Sequence, residues 1–289
     1  MPRLHVLPAV VRAAQARPAS FQFAAGSARH QSTNAKTSSQ PLSTATLSPR
    51  WLSDVKQRIG KCITFGLKPQ QVSEASTIIQ EISRDWRELS AGGEGFLTGP
   101  DRRGLYKQEI VWGEMDSMGH VNNVMYMRYA ESGRVNWTRR LAVLDPENGA
   151  TWRNLLNPTG VGLILKSITT EFKFPMVWPD KISVYHKLRS EPTPGTESFI
   201  LDVIIMSERH QRPAARCIED VVVYDYQIGK KTPLKPFMLD VFKETWRLQQ
   251  EAKAVNSQRV SRLLDRVRQL ETDSWDRADA VEDLGGAGS

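Results

Sequence analysis

The residues best suited to chemistry lie in one stretch, Val111-Trp-Gly-Glu-Met-Asp-Ser-Met-Gly-His-Val-Asn-Asn-Val-Met-Tyr126. Asp116 is a carboxylate able to activate water or to attack an electrophile directly. Gly119 permits a tight turn with positive φ and close approach of a ligand. His120 could bond a substrate or orient Asp116, although a histidine held by backbone serves structure equally well. Asn122 and Asn123 precede an apolar, aromatic-rich run, and either side chain can cap a helix. The first N–H groups of a helix lack internal partners and lie at its positive end, where they can stabilise a developing oxyanion. One carboxylate plus such donors is enough for an acyl group with a good leaving group. The competing reading is that Asp116 only shapes a turn before a well-capped helix.

These residues require elements that hold them. Leu105–Trp112 reads as a strand entering the loop. The helix runs from Asn122 or Asn123 to Leu141, with Tyr126, Ala130, Gly133, Trp137 and Leu141 on one face. Gly133 costs a helix interior roughly 1 kcal/mol relative to Ala, so this face is expected to press closely on a sheet. Tyr126 and Trp137 either line an acyl pocket or pack in the core. Glu131 and Arg134 are spaced to pair along the helix. A short helix over Thr151–Leu156 follows. Strands are expected at Gly162–Phe174 (one long or two short), Lys181–Ser190, Ser198–Glu208 and Ala214–Tyr226, separated by Pro- and Gly-containing turns. The order strand, helix, then consecutive strands indicates an α+β fold in which an antiparallel curved sheet wraps one long helix.

The flanks are helical. Trp51, Leu52, Val55 and Ile59 share a face. Val72, Ala75, Ile78, Ile79, Ile82 and Trp86 follow a spacing of three to four, and residues 49–98 form an N-terminal helical extension. The cluster Ser90-Ala-Gly-Gly-Glu-Gly95 ends it. That cluster is not a phosphate loop, because no preceding strand and no Lys-Ser or Lys-Thr accompany it. Residues 236–271 read as one or two helices packed on the sheet, or as a partner-binding coiled coil through Val241, Leu248 and Val255. Residues 272–289 read as a disordered tail.

The net charge of +7 over 289 residues is local. Arg3, Arg12, Arg17, Arg29, Lys36 and Arg50 precede the first acid, Asp54, and leave +1 for the remainder. No basic stripe remains for a nucleic acid. The acid-free, Arg- and Ser-rich residues 1–48 read as a mitochondrial transit segment, with processing near Arg29-His-Gln-Ser-Thr33 and the matrix as destination. A secretory signal is the rival, interrupted by Pro8 and Arg12, and plain disorder is the third reading. Cys62 and Cys217 cannot form a disulfide framework. No apolar run is long enough to span a bilayer. His5, His30, His186 and His210 show no metal-ligand spacing, and no Gly-x-Ser-x-Gly elbow is present.

The motif Trp112-Gly-Glu-Met-Asp116-Ser-Met-Gly119-His120-Val-Asn122-Asn123-x-x-Tyr126, with Glu131 and Arg134 beyond it, resembles the hotdog-fold thioesterases of the 4-hydroxybenzoyl-CoA thioesterase type. Phe172-x-Phe174-Pro175…Asp180 is similar to that family's second-strand ending, and the His-Val-Asn-Asn portion is similar to plant acyl-ACP thioesterases. The resemblance covers about residues 105–227 and implies a hotdog domain hydrolysing an acyl-CoA or acyl-ACP thioester without a cofactor. It implies Asp116 as base or nucleophile, the Asn123 N–H as oxyanion donor, and His120 as a helper. Gly119, Asn122, Tyr126 and Glu131 would lie around the substrate. It further implies a homodimer or homotetramer with the site at the subunit contact. Where the acyl-ACP enzymes carry an Asn two residues after the acid, this chain has Met118. Lys166, Lys173, Lys181, Lys187 and Arg189 either meet CoA phosphates or an acidic carrier protein, or form a solvated strand face. A non-catalytic hotdog module of a mitochondrial complex and a hotdog dehydratase using His120 are the alternatives.

Overall fold

A computed structural model of the chain describes residues 47–282. The expected transit segment therefore lies outside the described residues up to Thr46, as does the last part of the expected tail, 283–289. The helices are α1 (Trp51–Thr64), α2 (Pro69–Ser90), α3 (Asn123–Leu144), α4 (Gly149–Asn154) and α5 (Pro236–Asp273). The strands are β1 (Leu105–Glu109), β2 (Val161–Phe172), β3 (Lys181–Leu188), β4 (Ser198–Ser207), β5 (Arg212–Asp225) and β6 (Lys230–Lys231). They form one antiparallel sheet in the order β1-β3-β4-β5-β2, with β6 extending beside β5. This is the α+β hotdog architecture: a sheet wrapped around α3.

Strand periodicity divides the sheet's two faces. Ile182, Val184 and Leu188 of β3, Val203 and Ile205 of β4, and Ala215 and Val221 of β5 face α3. Tyr185 of β3 and Ile204 and Met206 of β4 face the other way, into a second core built from α1, α2 and the C-terminal half of α5. β4 is consequently buried on both faces over Val203–Ser207.

The expected α3 face is the observed one. Tyr126, Ala130, Gly133, Trp137 and Leu141 are all buried. The contact is as close as a helix interior glycine implies. A Cβ on Gly133 would come within 2.8 Å of His186 Cε1 and 2.9 Å of Val184 Cγ1. On its other side the backbone of Gly133 is approached by Gly104, whose own added Cβ would meet it at 2.7 Å.

Some expectations need correction, and the open choices for β2 and α5 are resolved. β1 stops at Glu109 instead of Trp112: the Ile110 N–H leaves the ladder for the Asp180 carbonyl, and Trp112–Glu114 coils into a short 3-10 turn. β2 is a single strand. α5 is one continuous helix, and its buried line is Met238, Phe242, Thr245, Gln249, Val260, Leu263, Val267 and Leu270. Val255 is exposed, so the Val241–Leu248–Val255 spacing does not mark the packed face. Val72 and Ile79 are likewise exposed on α2. The glycine cluster after α2 serves α5: a Cβ on Gly92 would strike Asn256, and Gly95, at φ 92°, lies against the Gln249 carbonyl.

Replacing Gly133 with Ala should destabilise the protein by about 1–3 kcal/mol through overpacking against β3. Gly60→Ala is the contrasting variant, since nothing lies within 4 Å of its added Cβ. It should stabilise α1 by up to about 1 kcal/mol. Denaturant unfolding midpoints of the two variants check both signs.

Candidate active site around Asp116

The Asp116 loop is a miniature hairpin. Met115 and Val121 form an antiparallel bridge, and the Asn122 N–H donates to the Glu114 carbonyl at 2.9 Å. At its tip the Gly119 N–H donates to the Asp116 carbonyl at 3.1 Å, and the Asp116 N–H to the His120 carbonyl at 2.8 Å. Gly119 sits at φ 77°, in the left-handed region where glycine carries no Cβ penalty. The Asp116 carboxylate stabilises its own loop. Its Oδ1 accepts the Met118 N–H at 2.8 Å and the His120 N–H at 3.4 Å. The loop reading and the catalytic reading are thus compatible: one oxygen shapes the turn and Oδ2 is left over for chemistry.

α3 begins directly after the hairpin. Asn122 is its cap, and its side-chain oxygen accepts the Val124 N–H at 3.1 Å. Asn123 is the first helical residue, exposed, and its N–H has no acceptor among the described residues. An N–H at the positive end of a 22-residue helix, beside a partly free carboxylate, is an arrangement suited to an oxyanion.

The loop is held from behind by segment 174–180. The Val121 N–H donates to the Met176 carbonyl at 2.9 Å, and the Met176 N–H donates to the Tyr126 hydroxyl at 3.2 Å. Tyr126 is therefore a core residue that fixes the loop. Its ring meets exposed Phe172 edge-on at 5.1 Å. Asp180 is a structural carboxylate, joining Ser207, Lys181 and Arg209 at the start of β3. His120 is half-buried at the end of the hairpin, and Glu131 is exposed on α3 two turns beyond the cap.

Glu131 does not pair with Arg134. Arg134 instead turns under the helix and donates to Glu219 of β5 at 2.5 Å, because Glu219 is fully buried and needs a charge partner. The strand cations each have a partner within the chain. Lys166 pairs with Asp220, Lys173 with Glu171, Lys181 with Glu109 and Arg189 with Asp202. Lys187 donates to the Glu94 carbonyl.

Two polar features escaped the sequence reading. Glu114, two residues before Asp116, accepts both the Val111 N–H at 2.9 Å and the Tyr129 hydroxyl at 2.8 Å. The second is the sealed cluster Arg134–Glu219–His186. His186 Nε2 stands 3.8 Å from Glu219 Oε2, and neither ring nitrogen of His186 finds a hydrogen-bond partner. Burial pushes the Glu219 carboxyl up to about 7 despite Arg134, and burial, reinforced by Arg134, pushes the His186 imidazole down to about 3. Burial favours the neutral imidazole and raises the carboxyl's affinity for a proton against the pull of Arg134. Neither residue reaches solvent, so this cluster supports the fold and Asp116 remains the candidate for chemistry.

Exposed apolar side chains occur in the loop, at the start of α3 and after β2: Trp112 (74 % exposed), Met118 (78 %), Val124, Met127, Phe172 and Trp178. Among the described residues no group of three or more His, Cys, Asp and Glu is placed to hold a metal ion. No helix of the described chain is long and apolar enough to cross a membrane.

Residues 110–242, a little under half of the chain, match the Thioesterase-like superfamily. Among solved structures, the chain is similar to a thioesterase complexed with coenzyme A and Zn from Thermus thermophilus. The identity is 16 %, covering 52 % of this chain and 97 % of that one, with a TM-score of 0.38. It is also similar to a 1,4-dihydroxy-2-naphthoyl-CoA thioesterase from Synechocystis, at 18 % identity, 52 % and 93 % coverage and a TM-score of 0.37. A DHNA-CoA thioesterase from Staphylococcus aureus matches at 16 % identity, 52 % and 90 % coverage and a TM-score of 0.34. Likenesses this distant carry no argument about substrate or mechanism. No curated protein matches.

The sealed cluster makes stability depend on pH with a definite sign. Glu219 titrates higher in the folded chain than its ordinary 4.5, so its contribution is complete below that value and is lost as pH rises towards about 7. His186 titrates below its ordinary 6.5, so its contribution is present above that value and is lost as pH falls towards about 3. Glu219→Gln removes only the first effect. The variant's unfolding midpoint should gain on wild type between about pH 5 and about pH 8, as read by urea unfolding at both values.

Proposed function

We propose that the chain hydrolyses an acyl-CoA or acyl-ACP thioester at Asp116, a reading supported by the match of residues 110–242 to the Thioesterase-like superfamily. The observation that carries the reading is the pairing of a carboxylate that keeps one oxygen free with an unpartnered helix N–H at Asn123. The Asp116 Oδ2 either takes a proton from an attacking water or attacks the acyl carbon itself, giving an anhydride that water then opens. In both routes the carbonyl oxygen gains charge beside the Asn123 N–H, and the thiolate leaves without needing a strong acid. Gly119, having no side chain, leaves room over the turn. His120 borders the site and Glu131 flanks it.

The working unit in this proposal is a homodimer. Exposed apolar side chains, among them Trp112 and Met118 in the Asp116 loop itself, need cover. β2 is a twelve-residue edge strand whose only charges are Lys166 and Glu171, and such an edge is a template for pairing. A second copy against β2 and α3 would cover both and close the acyl site. β1, the other edge, is short, bulged and charged, which discourages pairing there. Location in mitochondria rests on the acid-free, Arg-rich composition of residues 1–48. The flanking helices have a use within the chain: they bury the outer sheet face.

Asp116→Asn should lower turnover of an acyl-CoA panel by about 10²- to 10⁴-fold, with the folded state and the sedimentation-derived mass unchanged. Undiminished turnover would remove Asp116 from the mechanism. A monomeric wild type with full activity would remove the dimer.

A further inference from the structure

We infer that Glu114 is a positioning residue for Asp116, acting with Tyr129 as a clamp that holds the reactive loop against α3. The inference rests on the hydrolase reading for its kinetic consequences and on geometry for the clamp itself.

Every polar group of Glu114 but one carboxylate oxygen is engaged. Its N–H donates to the Val111 carbonyl at 3.0 Å, closing the 3-10 turn before the loop. Its carbonyl accepts from Asn122, the cap of α3, on the far side of the loop. Its Oε2 accepts the Val111 N–H and the Tyr129 hydroxyl. One residue thus joins the entry of the hairpin, its exit and the second turn of the helix whose N-terminus faces the substrate.

Tyr129 is suited to the donor's part. It is buried, and burial first, then the Glu114 carboxylate, raises its pKa above that of an ordinary tyrosine, so it stays protonated over the working range. Tyr126, three residues earlier on α3, does the complementary task. Its hydroxyl accepts from Met176, whose carbonyl holds Val121 at the loop exit. The two rings meet edge-on at 6.3 Å. The hairpin is therefore tied to two tyrosines of one helix face, through Glu114 before Asp116 and through Met176 and Val121 after it. Glu114 is two residues from Asp116 and is half-buried, with its second oxygen unbonded. It acts through the loop and is not assigned contact with the reacting atoms.

The consequences separate from those of a general structural role. Glu114→Ala should lower kcat by about tenfold or more, since a misplacement near 1 Å costs about that much or more, while KM changes little. Glu114→Gln keeps an oxygen that can accept from Tyr129 and should recover most of the loss. Tyr129→Phe should produce a smaller loss, and combining it with Glu114→Ala should add nothing, because both break one clamp. Hydrogen exchange of the backbone amides in 114–123 should quicken in Glu114→Ala with distant amides unaffected. A kcat within twofold of wild type, an effect on KM alone, or losses that multiply in the double variant would each overturn the inference. Should wild type hydrolyse no thioester, the hydrolase reading falls. The clamp is then judged by exchange alone, and unchanged exchange in 114–123 would overturn it.

Discussion

α3 lies tightly on β3, and the site depends on that contact. Gly133 is pressed between Gly104 above and His186 and Val184 below, with no space for a methyl group. That distance sets the height of the whole helix over the sheet. Tyr126 and Tyr129, on the same buried face towards the N-terminus, are brought to the level of segment 174–180 and of Glu114. Asn122 then ends the helix beside Asp116. A side chain at position 133 would lift the helix and displace the loop with it.

The opposite face of the sheet needs a different solution. Tyr185, Ile204 and Met206 would be an apolar surface if only the domain from 105 to 227 were present. α1, α2 and the far half of α5 cover it. α5 can serve both cores because it is a single 38-residue helix: Met238 and Phe242 pack beside Trp137, while Val260, Leu263 and Val267 pack against α1 and α2. Where it crosses the edge of β3, Gln249 takes over from a missing strand, accepting from the Leu188 N–H and donating to its carbonyl. Outside this core, Arg259 and Arg266 alternate with Glu74, Glu81 and Asp85 along the α2–α5 seam. Partly exposed pairs of this kind select the register more than they add stability.

The division of polar groups between the two layers follows from solvent access. Arg134, Glu219 and His186 lie beneath α3, where a charge without water is costly unless it is paired, as Arg134 is with Glu219. Asp116 lies at the helix end, where backbone N–H groups support a carboxylate. The same helix therefore covers one set of titratable groups and presents another.

Much of this was legible in the sequence. The order of strands and helices, the Asn122 cap, the Gly119 turn and the buried face of α3 all follow from local chemistry: φ preferences, capping and a 3.6-residue period act between neighbours in the chain. What the sequence left open concerns partners far apart. Glu131 stood at the right spacing for Arg134, yet Arg134 pairs with a residue 85 positions away, because a buried carboxylate gains more from it than an exposed one does. Val255 fitted a heptad but faces water, since the line of α5 that is buried is chosen by the sheet edge and by α1 and α2. Glu114 carried no recognisable pattern of its own. Its importance arises only when Tyr129, fifteen residues later, is brought back over the loop by the helix. Local rules determined which elements form and where the loop turns; tertiary packing alone decided which side chains meet, because desolvation is set by the assembled surfaces and not by separation along the chain.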